Sequence, residues 1–292
     1  MNAPALDGNR WRLSDLLLAL VLAAASVVAL WPAWRDLVLQ VSRREDNGYI
    51  YLVPAVALSL AWLRRSRLQL VKRRPSPAGA ALALVAALLV WWGAERDVKV
   101  AMHVGAVLAL VACAVAVAGL ELVRRFLPAF VALLFLVPVP GEVRRWIAGP
   151  LQSLAVSVTE GMIDLAGVGV ERQGHVLVIE GKPILVGEAC DGLRMVLALA
   201  LTFFVFVFSV PLRGPARLVL LAASPVIALA CNIARLVPTG LAYAYASSDT
   251  AERFHDLAGW LMLPLAIAML AGLIRLLRWM ELPVYTWRFL QA

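Results

Sequence analysis

The chain has 292 residues, of which 62% are hydrophobic and 16% are charged, and its formal net charge is +8 at pH 7. Soluble domains are about half apolar and about one quarter charged, so this composition excludes an ordinary soluble globular protein. The positive charge does not require a nucleic acid, because the basic residues border apolar segments, where membrane orientation and anionic lipids account for them.

Taken in chain order, the apolar stretches predict an all-α polytopic membrane protein with about eight transmembrane helices. A spanning helix needs about 20 apolar residues. The predicted spans form one integral membrane domain, residues 1–292, and lie at about 13–32, 49–64, 78–94, 100–120, 126–140, 192–212, 218–245 and 256–277. The second and fifth are short for a bilayer and require snorkelling ends or local thinning.

Basic residues orient these spans. With the N-terminus inside, more of the 27 lysines and arginines fall on the cytoplasmic side than on the opposite side. The positive-inside rule then predicts that both termini are cytoplasmic and that the long segment 141–191 is extracytoplasmic. We therefore expect a multi-pass protein of the cell inner (cytoplasmic) membrane.

The extracytoplasmic insert 141–191 contains two predicted elements. Its first part, Gly141–Leu165, mixes apolar and polar residues in a pattern typical of an amphipathic helix at the membrane interface. Its second part alternates, which predicts a small β-hairpin with strands at 175–179 and 183–186 and a turn between them. The hairpin leads directly into Cys190 and the sixth apolar helix.

Cys190 is the first candidate reactive residue, because it stands at the start of a helix. The positive end of a helix and a nearby cation both favour the reactive thiolate, whereas Glu188 and Asp191 oppose it. The two other cysteines, Cys113 and Cys231, lie within apolar spans and are expected to be core residues. No disulfide framework is indicated.

Arg235 is the second candidate, since a charged side chain deep in a membrane segment is costly and is functional by default. Asn232 lies three residues earlier, on the same helical face. A structural pairing of Arg235 with Asp256 or Glu188 is an equally good interpretation of the sequence.

His255 is the third candidate, at the outer end of the last span. A histidine close to Trp260 is often an interfacial anchor, although an imidazole is also the commonest general acid or base. His103 and His175 are weaker candidates, because one begins a helix and the other lies in the hairpin. No spacing typical of a metal site is present, so we expect neither a metal nor a cofactor.

The order of these motifs resembles that of the exosortase/archaeosortase family of membrane cysteine transpeptidases. The resemblance covers most of the chain and rests on five segments: 135–140 with 149–152 (FLVPVP, GPLQ), 171–175 (ERQGH), 186–194 (VGEACDGLR), 232–235 (NIAR) and 254–260 (FHDLAGW). Two departures are visible. Asp191 stands where the family usually has a serine, and residues 46–54 stand where it typically shows a Tyr-Ser-His-Gly run.

The resemblance implies a mechanism and a set of site residues. Cys190 would attack a backbone carbonyl and form an acyl-enzyme, His255 would serve as general acid and base, and Arg235 would stabilise the oxyanion or the thiolate. The expected supporting residues near these three are Glu188, Asp191, Arg194 and Asn232.

The resemblance also implies the partners. These are secreted proteins with a C-terminal tail that consists of a recognition motif, a hydrophobic helix and a basic end, together with an unidentified acceptor nucleophile. In the best-known members the motif is Pro-Glu-Pro-like, so Arg144 and Arg145 could bind its acidic residue. A solvated or lipid-facing arginine pair is the alternative interpretation.

The sequence is also compatible with other functions. A membrane transporter or a polysaccharide-export component would also have many spans and a structural Arg235, and a receptor or assembly factor would need none of the three candidate residues. Within the enzyme interpretation, the sequence does not separate a transpeptidase from a protease that uses water as the acceptor.

Overall fold

The computed structural model describes residues 13–43, 45–71, 75–185 and 192–280. The chain divides into two compact units, Met1–Pro140 and Gly141–Ala292, here called the N-terminal and the C-terminal unit. The part of the chain that the structure describes is mainly helical, with one small sheet in the C-terminal unit.

The N-terminal unit is built from helices of very different length. In chain order they are α1 (Leu13–Ala29), α2 (Trp31–Arg43), a 3-10 helix (Glu45–Leu52), α3 (Val53–Leu63), a second 3-10 helix (Arg65–Leu70), α4 (Pro77–Glu95), α5 (Lys99–Ala118), α6 (Leu120–Arg125), α7 (Leu127–Ala132) and a third 3-10 helix (Leu133–Leu136).

Helices α4 and α5 form a close antiparallel hairpin, because small residues line their contact. A Cβ atom at Gly79 would lie 2.4 Å from the backbone nitrogen of Ala116, and one at Gly105 would lie 2.7 Å from the carbonyl oxygen of Ala86. Small residues let the backbones of membrane helices approach closely, which increases van der Waals contact. The hairpin is therefore specified by the absence of side chains at these positions.

A polar cluster joins α2 to α5. His103 in α5 is 1% exposed, and its Nε2 lies 3.0 Å from Oδ2 of Asp36 in α2. Gln40 donates a hydrogen bond of 2.9 Å to the same carboxylate oxygen, and Lys99 Nζ lies 3.7 Å from the other oxygen. Buried polar groups are stable when they are paired in this way.

The C-terminal unit has four helices and a sheet in its described residues. They are α8 (Gly141–Leu165), β1 (Val170–Gln173), β2 (Val176–Ile179), β3 (Lys182–Leu185), α9 (Gly192–Ser209), α10 (Gly214–Tyr245) and α11 (Ser248–Trp279). The sequence predicted α8 with these bounds, and it predicted the hairpin formed by β2 and β3; both are confirmed.

The sheet has one more strand than the sequence indicated. It is antiparallel in the order β1-β2-β3, with Glu171 opposite Val178 and Val178 opposite Pro183. The turn between β2 and β3 has positive φ angles at both Glu180 (49°) and Gly181 (76°), as a two-residue type I′ hairpin requires. Strand β1 was missed because it is short and because its exposed residues alternate with residues that are only partly buried.

Two apolar cores hold this unit together. One lies among α9, α10 and α11 and includes the fully buried Phe203, Leu220 and Leu270. The other joins α8, β2 and α10 through residues such as Val156, Ile179 and Leu236. Because α10 contributes to both cores, it is the central element of the unit.

The candidate membrane spans support a multi-pass membrane protein but not eight spans. By length and composition, four helices of the described chain can cross a membrane: α4, α5, α10 and α11. The number rises to six if each of two bent helix pairs counts as one span. The predicted class is thus confirmed, and the predicted count of eight is not supported.

The predicted and the observed number of spans differ for a local reason in each of the other predicted spans. The first predicted span ends at Ala29, where the chain bends by 77° into α2. The second contains a 3-10 helix and an α-helix of 11 residues, and the fifth contains an α-helix of six residues followed by a 3-10 turn. Helix α9 (Gly192–Ser209) has 18 residues, near the lower limit of the length that a bilayer requires.

Candidate active site

Helix α10 presents Asn232 and Arg235 on one face. Asn232 is 4% exposed, and its Oδ1 accepts a hydrogen bond of 3.3 Å from Nη2 of Arg235. Arg235 is half-buried and lies about 15 Å from the end of α10 at Tyr245, given a rise of about 1.5 Å per residue. Its Nε is buried, and it has no hydrogen-bond partner in the described chain.

Arg235 has no carboxylate partner among the residues that the structure describes, so the pairing with Asp256 that the sequence allowed is absent there. Pro238, three residues further on, has no N–H to donate to the carbonyl of Ala234. The carbonyl of Ala234, the residue before Arg235, therefore lacks its usual helical donor. Both features leave hydrogen-bonding capacity on this face of α10.

Helix α11 positions His255 two turns after its beginning. Ser247 caps the helix by accepting a hydrogen bond of 3.4 Å from the backbone N–H of Thr250. His255 is half-buried, and its Nδ1 is buried without a hydrogen-bond partner in the described chain. Trp260 is 82% exposed, as an interfacial anchor would be.

The charges of Arg235 and Asp256 act on the imidazole of His255. Electrostatic interactions weaken with distance, so Arg235 and His255 lie in the same neighbourhood although they belong to different helices. The structure thus places Arg235 within electrostatic range of His255, and in the described chain each has one buried nitrogen without a hydrogen-bond partner.

The sheet and α8 form a platform beside α10. Arg172 in β1 donates hydrogen bonds to Ser153 and Ser157 of α8, with 3.0 Å to the Ser153 Oγ, and one of 2.8 Å to the carbonyl of Gly174. Lys182 in β3 donates a hydrogen bond of 2.5 Å to the carbonyl of Ala244 near the end of α10. These contacts fix the hairpin that precedes Cys190 in the sequence.

Ile179 brings the sheet into close contact with α10. Its Cδ1 would lie 3.1 Å from a Cβ atom at Gly240, so a side chain there would separate β2 from the helix. Neither the contact at Gly240 nor the hydrogen bonds of Arg172 were predicted from the sequence, although Arg172 stands within one of the family-like segments.

The remaining predicted site residues divide into two groups. Cys190, Glu188 and Asp191 lie outside the described residues, as does the side chain of Arg194. Arg144 and Arg145 lie in the first turns of α8, where the strongly exposed Arg145 pairs with Glu142. An acidic neighbour within the same helix partly compensates one of the two charges proposed for substrate binding.

The weaker candidates occupy other environments. Cys231 is fully buried in the apolar core with its sulfur 3.6 Å from that of Met269, and Cys113 is half-buried in α5. His103 belongs to the polar cluster of the N-terminal unit, and His175 is exposed at the turn between β1 and β2. Their surroundings agree with the structural roles that the sequence favoured.

Two buried hydroxyl groups near the platform were not predicted. Thr159 in α8 is 1% exposed and Thr239 in α10 is 4% exposed, and neither Oγ1 has a hydrogen-bond partner in the described chain. A polar residue on an otherwise apolar helix face was the only signal in the sequence. Such groups cost free energy unless a ligand or water pairs with them.

Fold and site together define a helical multi-pass membrane protein in which an arginine of one helix acts electrostatically on a histidine of the neighbouring helix. Comparison with protein families then gives a more specific result. The model of the transmembrane exosortase family (Exosortase_EpsH) matches residues 34–272, so the chain belongs to that family. Separate searches found no matching curated protein and no matching solved structure.

Proposed function

We propose that the protein is a membrane-embedded cysteine transpeptidase or protease that cleaves the C-terminal sorting tails of secreted proteins. Membership of the transmembrane exosortase family supports this broad function. Cys190 is the nucleophile, Arg235 stabilises charge and His255 transfers protons. The supporting residues are Glu188, Asp191, Arg194 and Asn232.

In the first half-reaction the thiolate of Cys190 attacks a backbone carbonyl carbon of the tail. A carbon–sulfur bond forms, and the carbonyl oxygen becomes an oxyanion that the Arg235 guanidinium stabilises. The carbon–nitrogen bond then breaks, and the departing amine takes a proton from the protonated His255. The product is a thioester between the substrate and Cys190.

In the second half-reaction an acceptor amine, a hydroxyl group or water attacks the thioester. His255 removes the proton of the acceptor, the carbon–sulfur bond breaks, and the thiolate returns. An amine or hydroxyl acceptor gives transpeptidation or ester formation, whereas water gives hydrolysis. The same residues serve both outcomes.

One observation carries this proposal: the association of Arg235 with His255, each with a buried nitrogen that lacks a partner in the described chain. If Arg235 only formed a structural pair with Asn232, the unpaired nitrogen of His255 would have no explanation. Groups that must bind a transient oxyanion or a leaving group, by contrast, need free donor and acceptor capacity in the resting enzyme.

The substrate side of the proposal follows from the family. The tail has a short recognition motif, a hydrophobic helix and a basic cytoplasmic end, and Arg144 and Arg145 bind an acidic residue of the motif. This arrangement requires that the C-terminal unit opens to the extracytoplasmic side of the inner membrane, with both termini cytoplasmic. Reversal of both charges (R144E with R145E) should then lower the processing of tailed precursors, and unchanged processing would exclude this contact.

The decisive experiment compares the C-termini of secreted proteins in native-host cells that carry wild-type protein or single variants at equal membrane levels. The test variants are Cys190→Ala, Arg235→Gln and His255→Gln. Each has a control of the same residue type outside the site: Cys113→Ala, Arg253→Gln and His175→Gln. Arg253 and His175 are exposed, and no interaction of either is present in the described chain.

Accumulation of tailed precursors in all three test variants, with normal processing in the controls, would support the proposal. Mass spectrometry of the mature C-termini would then identify the cleaved bond and any added acceptor. Normal processing in Cys190→Ala would refute it. If flux of a solute or polysaccharide depended on Arg235 alone, the transporter or polysaccharide-export alternative would take its place.

A further inference from the structure

The N-terminal unit contains a polar recess at the ends of two candidate membrane spans. Its volume is about 640 Å³, and its polar lining consists of Arg67, Ser76, Glu121, Arg124 and Arg125. Helix α4 begins at Pro77, directly after Ser76, and α5 ends at Ala118, directly before the α6 segment that carries the last three residues. The recess therefore lies at the level where the apolar helices meet the polar headgroups.

The lining carries positive charge that the described residues do not neutralise. Arg125 is compensated, because its Nε and Nη2 donate hydrogen bonds of 2.9 Å and 2.6 Å to Oε1 of Glu121. Arg67 donates one of 3.4 Å to the backbone carbonyl of Arg125, which leaves its charge unbalanced. Arg124 is exposed and has neither a hydrogen bond nor an ion pair in the described chain.

The recess also offers a neutral donor suited to a phosphate oxygen. The Ser76 Oγ accepts a hydrogen bond of 3.3 Å from the N–H of Ala78, so its own proton is available to a ligand. Two uncompensated guanidinium groups and a hydroxyl group match the acceptor-rich, negatively charged surface of a phosphodiester.

We propose that this recess binds the headgroup phosphate of an anionic phospholipid. A lipid headgroup and a free phosphate ion would present the same phosphate group to the recess. The position of the recess favours a lipid, because α4 and α5 place the arginines at the membrane boundary. The sequence predicts that this end of the helices is cytoplasmic, and basic pockets between membrane helices on that side bind anionic headgroups. The site is independent of the proposed catalytic residues, all of which belong to the C-terminal unit.

Native mass spectrometry of the purified full chain tests this proposal. The protein is titrated with phosphatidylglycerol, with zwitterionic phosphatidylcholine, and with phosphatidylglycerol in excess inorganic phosphate. The test variant is Arg67→Gln with Arg124→Gln. The matched control is Arg35→Gln with Arg96→Gln, which removes the same charge at exposed positions near the other end of the α4–α5 hairpin, with no interaction of either arginine in the described chain.

Each basic side chain near the surface contributes about a fivefold gain in affinity for an anionic lipid, so the two arginines together are worth about 25-fold. We expect the tightest phosphatidylglycerol site to weaken by about that factor in the test variant, to a level close to that of phosphatidylcholine. The control should change it by less than about twofold, because the 19 residues of α4 separate Arg96 from the recess by roughly 28 Å, well beyond a Debye length.

Three results would overturn the proposal: unchanged phosphatidylglycerol binding in the test variant, an equal loss in the control, or displacement of the lipid by inorganic phosphate, which would indicate a free-anion site. Helix content by circular dichroism checks that the variants fold. If the double variant does not fold, Arg124→Gln alone should weaken binding about fivefold while Arg124→Lys retains it. Equal binding by these two single variants would likewise count against the lipid site.

Discussion

Arg172 links the sheet to α8, and its removal should loosen the hairpin that precedes Cys190. Arg172→Ala deletes hydrogen bonds to Ser153, Ser157 and the Gly174 carbonyl. A hydrogen bond to a charged group is worth about 1.5–3 kcal/mol when buried, but the bonds to Ser157 and to the Gly174 carbonyl are exposed and the bond to Ser153 is only partly buried. With the two exposed bonds discounted, we expect the sheet to lose about 1–2 kcal/mol of local stability.

Hydrogen exchange followed by mass spectrometry measures this loss directly. A factor of ten in the opening equilibrium corresponds to about 1.4 kcal/mol, so amides of β1 and β2 should exchange about 5- to 30-fold faster in Arg172→Ala. Arg172→Lys should show a smaller effect, because an ammonium group cannot reach two serines as the planar guanidinium does. Arg253→Ala is the control for loss of an exposed positive charge.

The effect of Arg172→Ala on exchange should depend on Ser153 and Ser157, the two serines that Arg172 contacts. The double variant Ser153→Ala with Ser157→Ala should accelerate exchange in the sheet, and Arg172→Ala should then add less than it does in the wild-type background. Exchange of β1 within about twofold of wild type in Arg172→Ala, or additive effects in the combined variant, would refute the assignment of Arg172 as the residue that fastens the sheet to α8.

The remaining predictions concern thermal unfolding midpoints in detergent. Gly79→Val should lower the midpoint by the equivalent of about 1–3 kcal/mol through overpacking against α5, whereas Gly272→Val, which meets open space, should change it little; equal effects would contradict the close packing. His103→Ala should also lower the midpoint, by the equivalent of about 2–4 kcal/mol, because a buried side chain bonded to Asp36 is lost. An unchanged midpoint would contradict a stabilising role of His103. Thr159→Val should raise the midpoint by the equivalent of about 1 kcal/mol, since a buried hydroxyl that is unpaired in the described chain is removed. A lower midpoint would indicate that the hydroxyl has a hydrogen-bond partner.

Much of the fold was predictable because long apolar helices are governed by composition and length. The bounds of α4, α5 and α8 differ from the predictions by no more than about two residues, as helix ends usually do. The hairpin of β2 and β3 was predictable from its turn and its alternation. The segments that failed as spans, such as 126–140, are apolar enough but are broken into short helical stretches, with Pro128 at the start of α7 and Pro138 and Pro140 after the last 3-10 helix.

The site was predictable in part, for a different reason. An arginine within an apolar helix is visible in any sequence, and helical spacing predicted that Asn232 lies on the same face, although the pairing that the sequence allowed was with Asp256 or Glu188. The association of Arg235 with His255 depends on how α10 packs against α11, which no local pattern encodes. The bonds from Arg172 to α8 could not be predicted either, since they join residues that are 15 and 19 positions apart.

The distribution of unpaired polar atoms connects stability with the proposed chemistry. In the N-terminal unit, His103 and Asp36 satisfy each other, and their pairing stabilises the contact between α2 and α5. In the C-terminal unit, Arg235 Nε and His255 Nδ1 lack partners in the described chain. Unpaired buried atoms also occur in the described chain away from the proposed site, for example Trp34 Nε1 and Thr159 Oγ1, and each such atom costs about 1–3 kcal/mol. At Arg235 and His255 that cost is understandable if a substrate carbonyl, a leaving amine and a thiolate supply the missing partners during the reaction.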